Sequence, residues 1–137
     1  MKRIVGIDVG EKRIGIAASD MLGMTAQGVE TYTRTGGDGD AAYIAAKARE
    51  LGATLVVAGL PLNMNGTEGP SAQYVRAFAA EVEALGLEIK FQDERLTTVS
   101  AERMLIEADV SRKKRRQVVD KLAAVYILRA YLDTHPV

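Results

Sequence analysis

Three acidic side chains stand where the surrounding sequence gives them little reason to be. Asp8 closes the run Ile4-Val5-Gly6-Ile7, which is almost continuously apolar and suits a central strand buried on both faces. A carboxylate near the end of such a strand costs free energy unless it is hydrogen-bonded, paired or bound to a cation. Hydrogen bonds from the Gly10-Glu11-Lys12 turn would satisfy it, and so would a metal ion. Asp120 falls in a segment of helical periodicity whose solvent stripe is marked by Lys121, Arg129 and Asp133, at about 100° per residue. It lies nearly opposite that stripe, in phase with Ala124, Ile127 and Tyr131, so the helix turns a carboxylate towards the sheet at its N-terminal end. A capping role is the structural alternative. The small Ala123 and Ala124, which let this end approach the sheet, favour a functional one. The third acid comes from the Asp93-Glu94 pair at a strand end. Alternation with Ile89 and Phe91 turns Asp93 inwards, whereas a bulge or turn would rotate Glu94 inwards, and the pattern leaves both open.

Acids on separated segments can meet at the carboxyl ends of adjacent strands, where open α/β sheets place their ligands. Clustered carboxylates repel one another, and a hard divalent cation relieves that repulsion. Magnesium and manganese take oxygen ligands and keep several waters plus phosphate oxygens. Two such ions about 3.5–4 Å apart can activate water and stabilise the leaving oxygen of an in-line phosphoryl displacement. The chemistry these acids suit is metal-assisted hydrolysis of a phosphodiester.

The elements that must position them follow from pattern. Ile4–Val9 is the buried strand, Arg13–Ser19 its hairpin partner, and Gln27–Thr33 a third strand ending in the turn cluster Gly36-Gly37-Asp38-Gly39. Helical spacing over Asp40–Leu51 stops at Gly52, placed as a C-cap. Thr54–Ala58 is a short strand, Gly59–Gly69 a loop, and Pro70 opens a helix carried by Tyr74, Phe78, Val82 and Leu85. Leu87–Asp93 alternates as a fifth strand. Thr97 or Thr98 caps a helix to about Ala108, and Val118–Leu132 forms the last helix. The order β β β α β α β α α predicts an α/β domain with a five-stranded mixed sheet flanked by helices.

The chain has 137 residues, no cysteine, 47% hydrophobic and 26% charged residues, and 18 basic against 18 acidic side chains. Its length predicts a single domain spanning 1–137. Disulfide frameworks and cysteine zinc sites are excluded. The apolar run after Met1-Lys2-Arg3 is too short for a signal peptide or membrane span, so a cytoplasmic location without membrane partners is expected. Charge is balanced overall but not locally: Arg112, Lys113, Lys114, Arg115 and Arg116 are consecutive. This block repels itself and reads as a mobile loop, able to neutralise several phosphates in a salt-sensitive way.

Four motifs in order, Ile7-Asp8-Val9-Gly10 with Lys12-Arg13-Ile14-Gly15, the loop from Gly59 to Gly69, Asp93-Glu94-Arg95-Leu96-Thr97-Thr98, and Val119-Asp120-Lys121-Leu122-Ala123-Ala124, resemble the YqgF, or RuvX, family of the RNase H-like superfamily. The resemblance covers nearly the whole chain. It implies an RNase H-like fold and a metal-dependent endonuclease. It gives the catalytic and metal-holding roles to Asp8, Glu94 and Asp120, with Mg2+ or Mn2+, in a two-metal arrangement, as cofactor. This overrules the alternation that favoured Asp93. The implied substrate is structured RNA, the 5′ end of precursor 16S ribosomal RNA, and the alternative is a resolvase of branched DNA junctions. A non-catalytic RNA-binding assembly factor is the reading from another class. A nucleotide-binding module of the actin or sugar-kinase type would need a second domain. Two departures are visible. Asn65 stands where many relatives carry Asp, and Ala123 stands where junction resolvases place a second helical acid.

The remaining polar residues arrange themselves around a phosphodiester. Of Lys12 and Arg13, alternation sends one to solvent, and Lys12 is the expected phosphate contact. Asn63, Gly66 and Thr67 offer amide, backbone and hydroxyl donors of the kind that position a nucleic-acid backbone. Arg95 adjoins Glu94 and is expected to hold it or to touch phosphate. Arg112–Arg116 are expected to bind substrate. His135 has no expected role, and both monomer and homodimer remain open.

Overall fold

The computed structural model describes residues 3–94 and 112–135, with side chains from 119 onwards in the last helix. Strands β1 (Arg3–Val9), β2 (Arg13–Ser19) and β3 (Ala26–Thr33) form an antiparallel meander. Helix α1 (Gly39–Glu50) leads to β4 (Ala53–Leu60), and α2 (Pro70–Ala84) leads to β5 (Glu88–Asp93). Both β4 and β5 run parallel to β1, giving the strand order β3-β2-β1-β4-β5. The last helix, α3, spans Arg112–Thr134. The helix expected over Thr97–Ala108 lies outside the described residues.

Local chemistry explains the boundaries. Pro70 occupies the first turn of α2, where its missing N–H is not needed. Gly52 ends α1 with φ +76° and donates to the Arg49 carbonyl, a left-handed C-terminal turn that a side chain would disfavour.

Strand alternation sorts the sheet into two covered faces. Val5, Ile7, Ile14, Ile16, Val56, Ala58 and Ile89 pack with Ile44 of α1 and with Val75 and Phe78 of α2. The opposite face carries Ala17 and Val57, which pack under Ala124, Ile127, Leu128 and Tyr131 of α3. This second face is built of small residues because α3 lies very close. A Cβ on Gly6 would come within 2.8 Å of Leu128 Cβ, one on Gly59 within 2.4 Å of Ile127 Cδ1, and one on Gly15 within 1.8 Å of the Asp120 carbonyl oxygen. Glycines on β1, β2 and β4 thus form the bed of α3.

One expectation is corrected here. Arg112–Arg116 is not a loop before the last helix but forms its first turns. Like-charge pairs at i,i+4 cost only about 0.2–0.5 kcal/mol each, whereas Lys and Arg are good helix formers, so propensity outweighs self-repulsion. Among the described residues no helix is long and apolar enough to cross a membrane.

Candidate active site

Asp8 shares the α3-facing side of β1 with Ile4 and Gly6, one residue short of the strand end. Glu94 lies just beyond β5, where its N–H donates to the Leu60 carbonyl at 3.3 Å and extends the ladder by one step. In strand phase Glu94 follows Lys90 and Gln92, while Asp93 follows Ile89 and Phe91. Ile89 and Phe91 belong to the core beneath α1 and α2, so alternation with them carries Asp93 to the face away from Asp8. Asp93 is exposed. No bulge is needed to bring Glu94 in, since the acid-bearing face is simply the one that α3 covers.

The Asp8 and Glu94 carboxyl groups hydrogen-bond to each other. Burial pushes Asp8 up to about 6, a direction opposed by the bond from Glu94 and reinforced by the charge of Asp120. Burial likewise raises Glu94, to about 9, and the charge of Asp8, their shared bond and the charge of Asp93 act in the same sense. Both shifts run in the direction of a protonated, hydrogen-bonded pair. The Glu94 Oε2 atom is buried, and a Cβ on Gly59 would stand 2.6 Å from it. Gly59 makes the space into which Glu94 turns.

Asp120 sits in the third turn of α3 counted from Arg112, well inside the helix. It is not an N-terminal cap. Its Oδ2 accepts a hydrogen bond from Arg13 Nε at 2.6 Å, in an ion pair whose side chains are 29% and 21% exposed. Arg13 faces this site because it is in phase with Gly15 on β2. Lys12, the cation favoured from sequence, is exposed in the turn. The cation paired with Asp120 among the described residues is Arg13. Among the described residues no three potential ligands converge as a ready metal site. Two acids share a hydrogen bond, and the third is paired with an arginine.

The loop after β4 is closed on itself. Asn63 N–H donates to Thr67 O and Gly66 N–H to Asn63 O, both at 2.8 Å, and Asn63 Nδ2 donates to Thr67 Oγ1 at 2.9 Å. Asn65 Oδ1 accepts from the Thr67 N–H and hydroxyl. Asn63, Gly66 and Thr67 all hydrogen-bond within the loop. Asn65 acts as an acceptor of local hydrogen bonds, which an Asp would do equally well. Arg95, Thr97 and Thr98 lie outside the described residues, and of Arg112–Arg116 only the helical backbone is described.

Sequence reasoning missed a buried network behind the site. Asp40, fully buried, accepts from Tyr32 OH at 2.9 Å, Arg34 Nε at 3.0 Å, the Thr35 N–H and hydroxyl, and the Gly36 N–H. Burial alone would raise its pKa, but these hydrogen bonds hold it far below the ordinary carboxylate range. Arg34 in turn donates from Nη1 to the Gly10 carbonyl at 2.9 Å and to Tyr74 OH. Asp40 was read only as a helix start. An acid one residue inside a helix, preceded by Tyr32, Arg34 and Thr35, was the available signal.

The acidic pair at the carboxyl ends of β1 and β5, and a third acid on the helix crossing them, sit on an RNase H-like fold. Solved structures share the fold: that of T. thermophilus RuvC in complex with Holliday junction substrate matches with TM-score 0.58 at 13% identity, over 99% of this chain and 97% of that one. The fowlpox virus Holliday junction resolvase matches with TM-score 0.55 at 11% identity, over 96% and 98%. The chain belongs to the RuvX family, described as Holliday junction resolvase, which matches residues 2–134. A relative from Moorella thermoacetica, named "Putative pre-16S rRNA nuclease", is 54% identical over 96% of this chain and 94% of its own. One from Myxococcus xanthus with the same name is 52% identical over 97% and 89%.

Proposed function

We propose that this protein is a divalent-metal-dependent endonuclease that matures the 5′ end of precursor 16S ribosomal RNA, with Asp8, Glu94 and Asp120 as its catalytic carboxylates. The observation that carries this reading is the buried Asp8–Glu94 pair, held by burial and mutual repulsion in a state that a cation would relieve. The donor set fits a hard cation. It is all oxygen, it is short of positive charge, and two of its members already touch. Asp8 and Glu94 would hold Mg2+ or Mn2+, and Asp120 would join them on exchanging Arg13. Bound there, the metal supplies Lewis acidity that lowers the pKa of water and offsets charge developing on the phosphate.

The chain's own residues do the rest. Glu94 must give up the proton it shares with Asp8 before both carboxylates can act as ligands. Arg13, released from Asp120, would be free to pair with a phosphate oxygen beside the site. Arg112–Arg116, on the same helix as Asp120, add sequence-independent attraction for the backbone. The names carried by relatives at more than half identity support ribosomal RNA as substrate. A second reading, cleavage of four-way DNA junctions, is favoured by the family description. Ala123 weighs against it, because it replaces the second helical acid of junction resolvases.

The test is cleavage of end-labelled precursor ribosomal RNA and of a four-way DNA junction with Mg2+ or Mn2+, comparing wild type with Asp8→Asn. Metal-dependent RNA cutting lost in the variant is expected. Paired symmetric nicks confined to the junction would instead make it a resolvase. Equal cutting by pure Asp8→Asn would remove Asp8 from the mechanism.

A further inference from the structure

A cleft of about 460 Å³ opens at the carboxyl ends of β1 and β4, on the α2 side of the sheet, and Glu94 forms part of its wall. Its size falls within the range of about 300–1,000 Å³ typical of small-molecule pockets, suited to one nucleotide and far too small for a duplex. Val9, Pro61, Tyr74 and Val75 make its apolar surface. Its ionisable lining residues are Glu11 and Glu94, and no described lining residue is a cation. Such a lining offers a phosphate no described cation to pair with. The described lining suits a flat, apolar-faced group whose phosphate stays outside.

Tyr74 is the exposed aromatic of this wall, 40% accessible although it lies on a helix that packs against the core. Its position is fixed from behind. Arg34 donates to its hydroxyl, stands 5.4 Å from its ring centroid and 4.9 Å from that of Phe78, and is itself held by the fully buried Asp40. The same guanidinium donates to the Gly10 carbonyl, so one residue sets both the β1–β2 turn and the aromatic ring that line the cleft. An exposed ring held from behind, beside a largely apolar cleft, is the platform on which proteins stack unpaired bases.

We infer that this cleft receives the base of one unpaired nucleotide of the substrate strand, stacked on Tyr74, with its neighbouring phosphate delivered to the Asp8–Glu94 pair. The inference rests on the nuclease reading for the identity of the strand, but not for the chemistry of the pocket. It makes the enzyme selective for a single-stranded or extruded nucleotide at the site of cutting. Arg34 and Asp40 are positioning residues for that platform.

The test uses full-length Asp8→Asn protein, which should hold strands without cutting them, and a single-stranded oligonucleotide carrying one 2-aminopurine, made as RNA and as DNA. Stacking on Tyr74 should quench its fluorescence several-fold. In the Asp8→Asn/Tyr74→Leu protein the quench should vanish and binding weaken by roughly 5- to 100-fold, the scale of one base–aromatic stack. Tyr74→Phe in the same background, which keeps the ring, should retain the quench. The RNA and DNA arms identify the sugar accepted. A fully paired duplex should show no quench. Quenching unaffected by Tyr74→Leu, absence of quench at saturating protein, or quench relieved equally by free nucleotide and insensitive to strand attachment would each overturn the pocket. Cleavage by wild type without a Tyr74-dependent quench would leave the nuclease standing and remove the pocket. A Tyr74-dependent quench with no cleavage would do the reverse.

Discussion

The carbonyl oxygen of Asp120 lies where a β-carbon on Gly15 would come within 1.8 Å of it. Helix α3 therefore rests directly on the backbone of β2, and the acid it carries reaches Arg13 and the neighbourhood of Asp8 only because position 15 has no side chain. The contact is with backbone, which cannot rotate aside. Gly15→Ala should destabilise the protein by at least the upper end of the usual overpacking cost, about 3 kcal/mol, and abolish cleavage. Gly37→Ala, with nothing within 4 Å, should be nearly neutral. Urea unfolding of both variants makes the comparison, and equal midpoints would show that α3 has room to move.

The Asp8–Glu94 pair gives stability a pH dependence of definite sign. Both groups are raised in the folded protein, to about 6 and about 9, so between the ordinary carboxylate range and those values the native state binds protons that the unfolded chain has released. Their contribution is fully present at low pH and is lost as pH rises through about 6 and then about 9. Metal-free wild type should thus lose stability from pH 5 to pH 8. Asp8→Asn, which removes one of the two charges, should be more stable than wild type at pH 8 by on the order of 1–2 kcal/mol. Added Mg2+ or Mn2+ should stabilise wild type at pH 8 and leave the variant largely unmoved. Thermal unfolding at the two pH values checks this, and a wild type that gains stability with rising pH without metal would contradict it.

Arg13 neutralises Asp120 in the place a metal would otherwise serve. Its removal deletes a competing cation, so Arg13→Gln should bind Mn2+ more tightly, by roughly 10-fold on the scale of outer-shell substitutions at metal sites. Cleavage should fall, because the phosphate loses a partner. Calorimetric titration with Mn2+ at neutral pH measures the first effect independently of the second. Weaker binding in the variant would mean that Arg13 orients Asp120 rather than competing for it.

Much of this arrangement was legible in the sequence, and its failures have definite causes. Strand and helix periods located all five strands and the first two helices within a few residues, since each buries one apolar face. Asp8 and Asp120 were found as acids out of phase with the solvent. Glu94 was not found by pattern, because alternation was counted along Ile89 and Phe91 and a central sheet has two buried faces. The second face is written in Gly6, Gly15 and Gly59, whose missing side chains leave no hydrophobic signal. That Arg13 pairs with Asp120 was not legible, because nothing in a turn sequence says which residue regains the strand's phase. Asp40 looked like an ordinary helix start, and its burial depends on Tyr32 and Arg34 folding back over it.

That burial is itself testable. Asp40 is fully buried and its partner Arg34 nearly so, with 12% of the side chain exposed. Deleting the acid would leave a guanidinium buried without its counter-charge, a change that costs about 3–5 kcal/mol. Asp40→Ala should lose that much in urea unfolding at pH 7, and the wild-type contribution should fade as pH falls below the ordinary carboxylate range, because this group is depressed in the folded state. A loss under about 1 kcal/mol would show that the network is not what holds the β1–β2 turn to α2.

The cations Arg112–Arg116 begin the helix that carries Asp120, so the proposed capture of the substrate and the proposed catalytic acid fall on one helix. Each phosphate neutralised on single-stranded nucleic acid contributes about 0.7 to the slope of log affinity against log salt. Replacing Lys113 and Lys114 by Gln should therefore lower the magnitude of that slope by about 1–1.5, weaken binding at low salt, and leave cleavage at saturating substrate close to wild type. Filter binding of RNA across a salt series gives the slope directly. An unchanged slope would assign these cations to the stability of α3 alone, and the strand would then have to be held by Arg13 and the Tyr74 cleft.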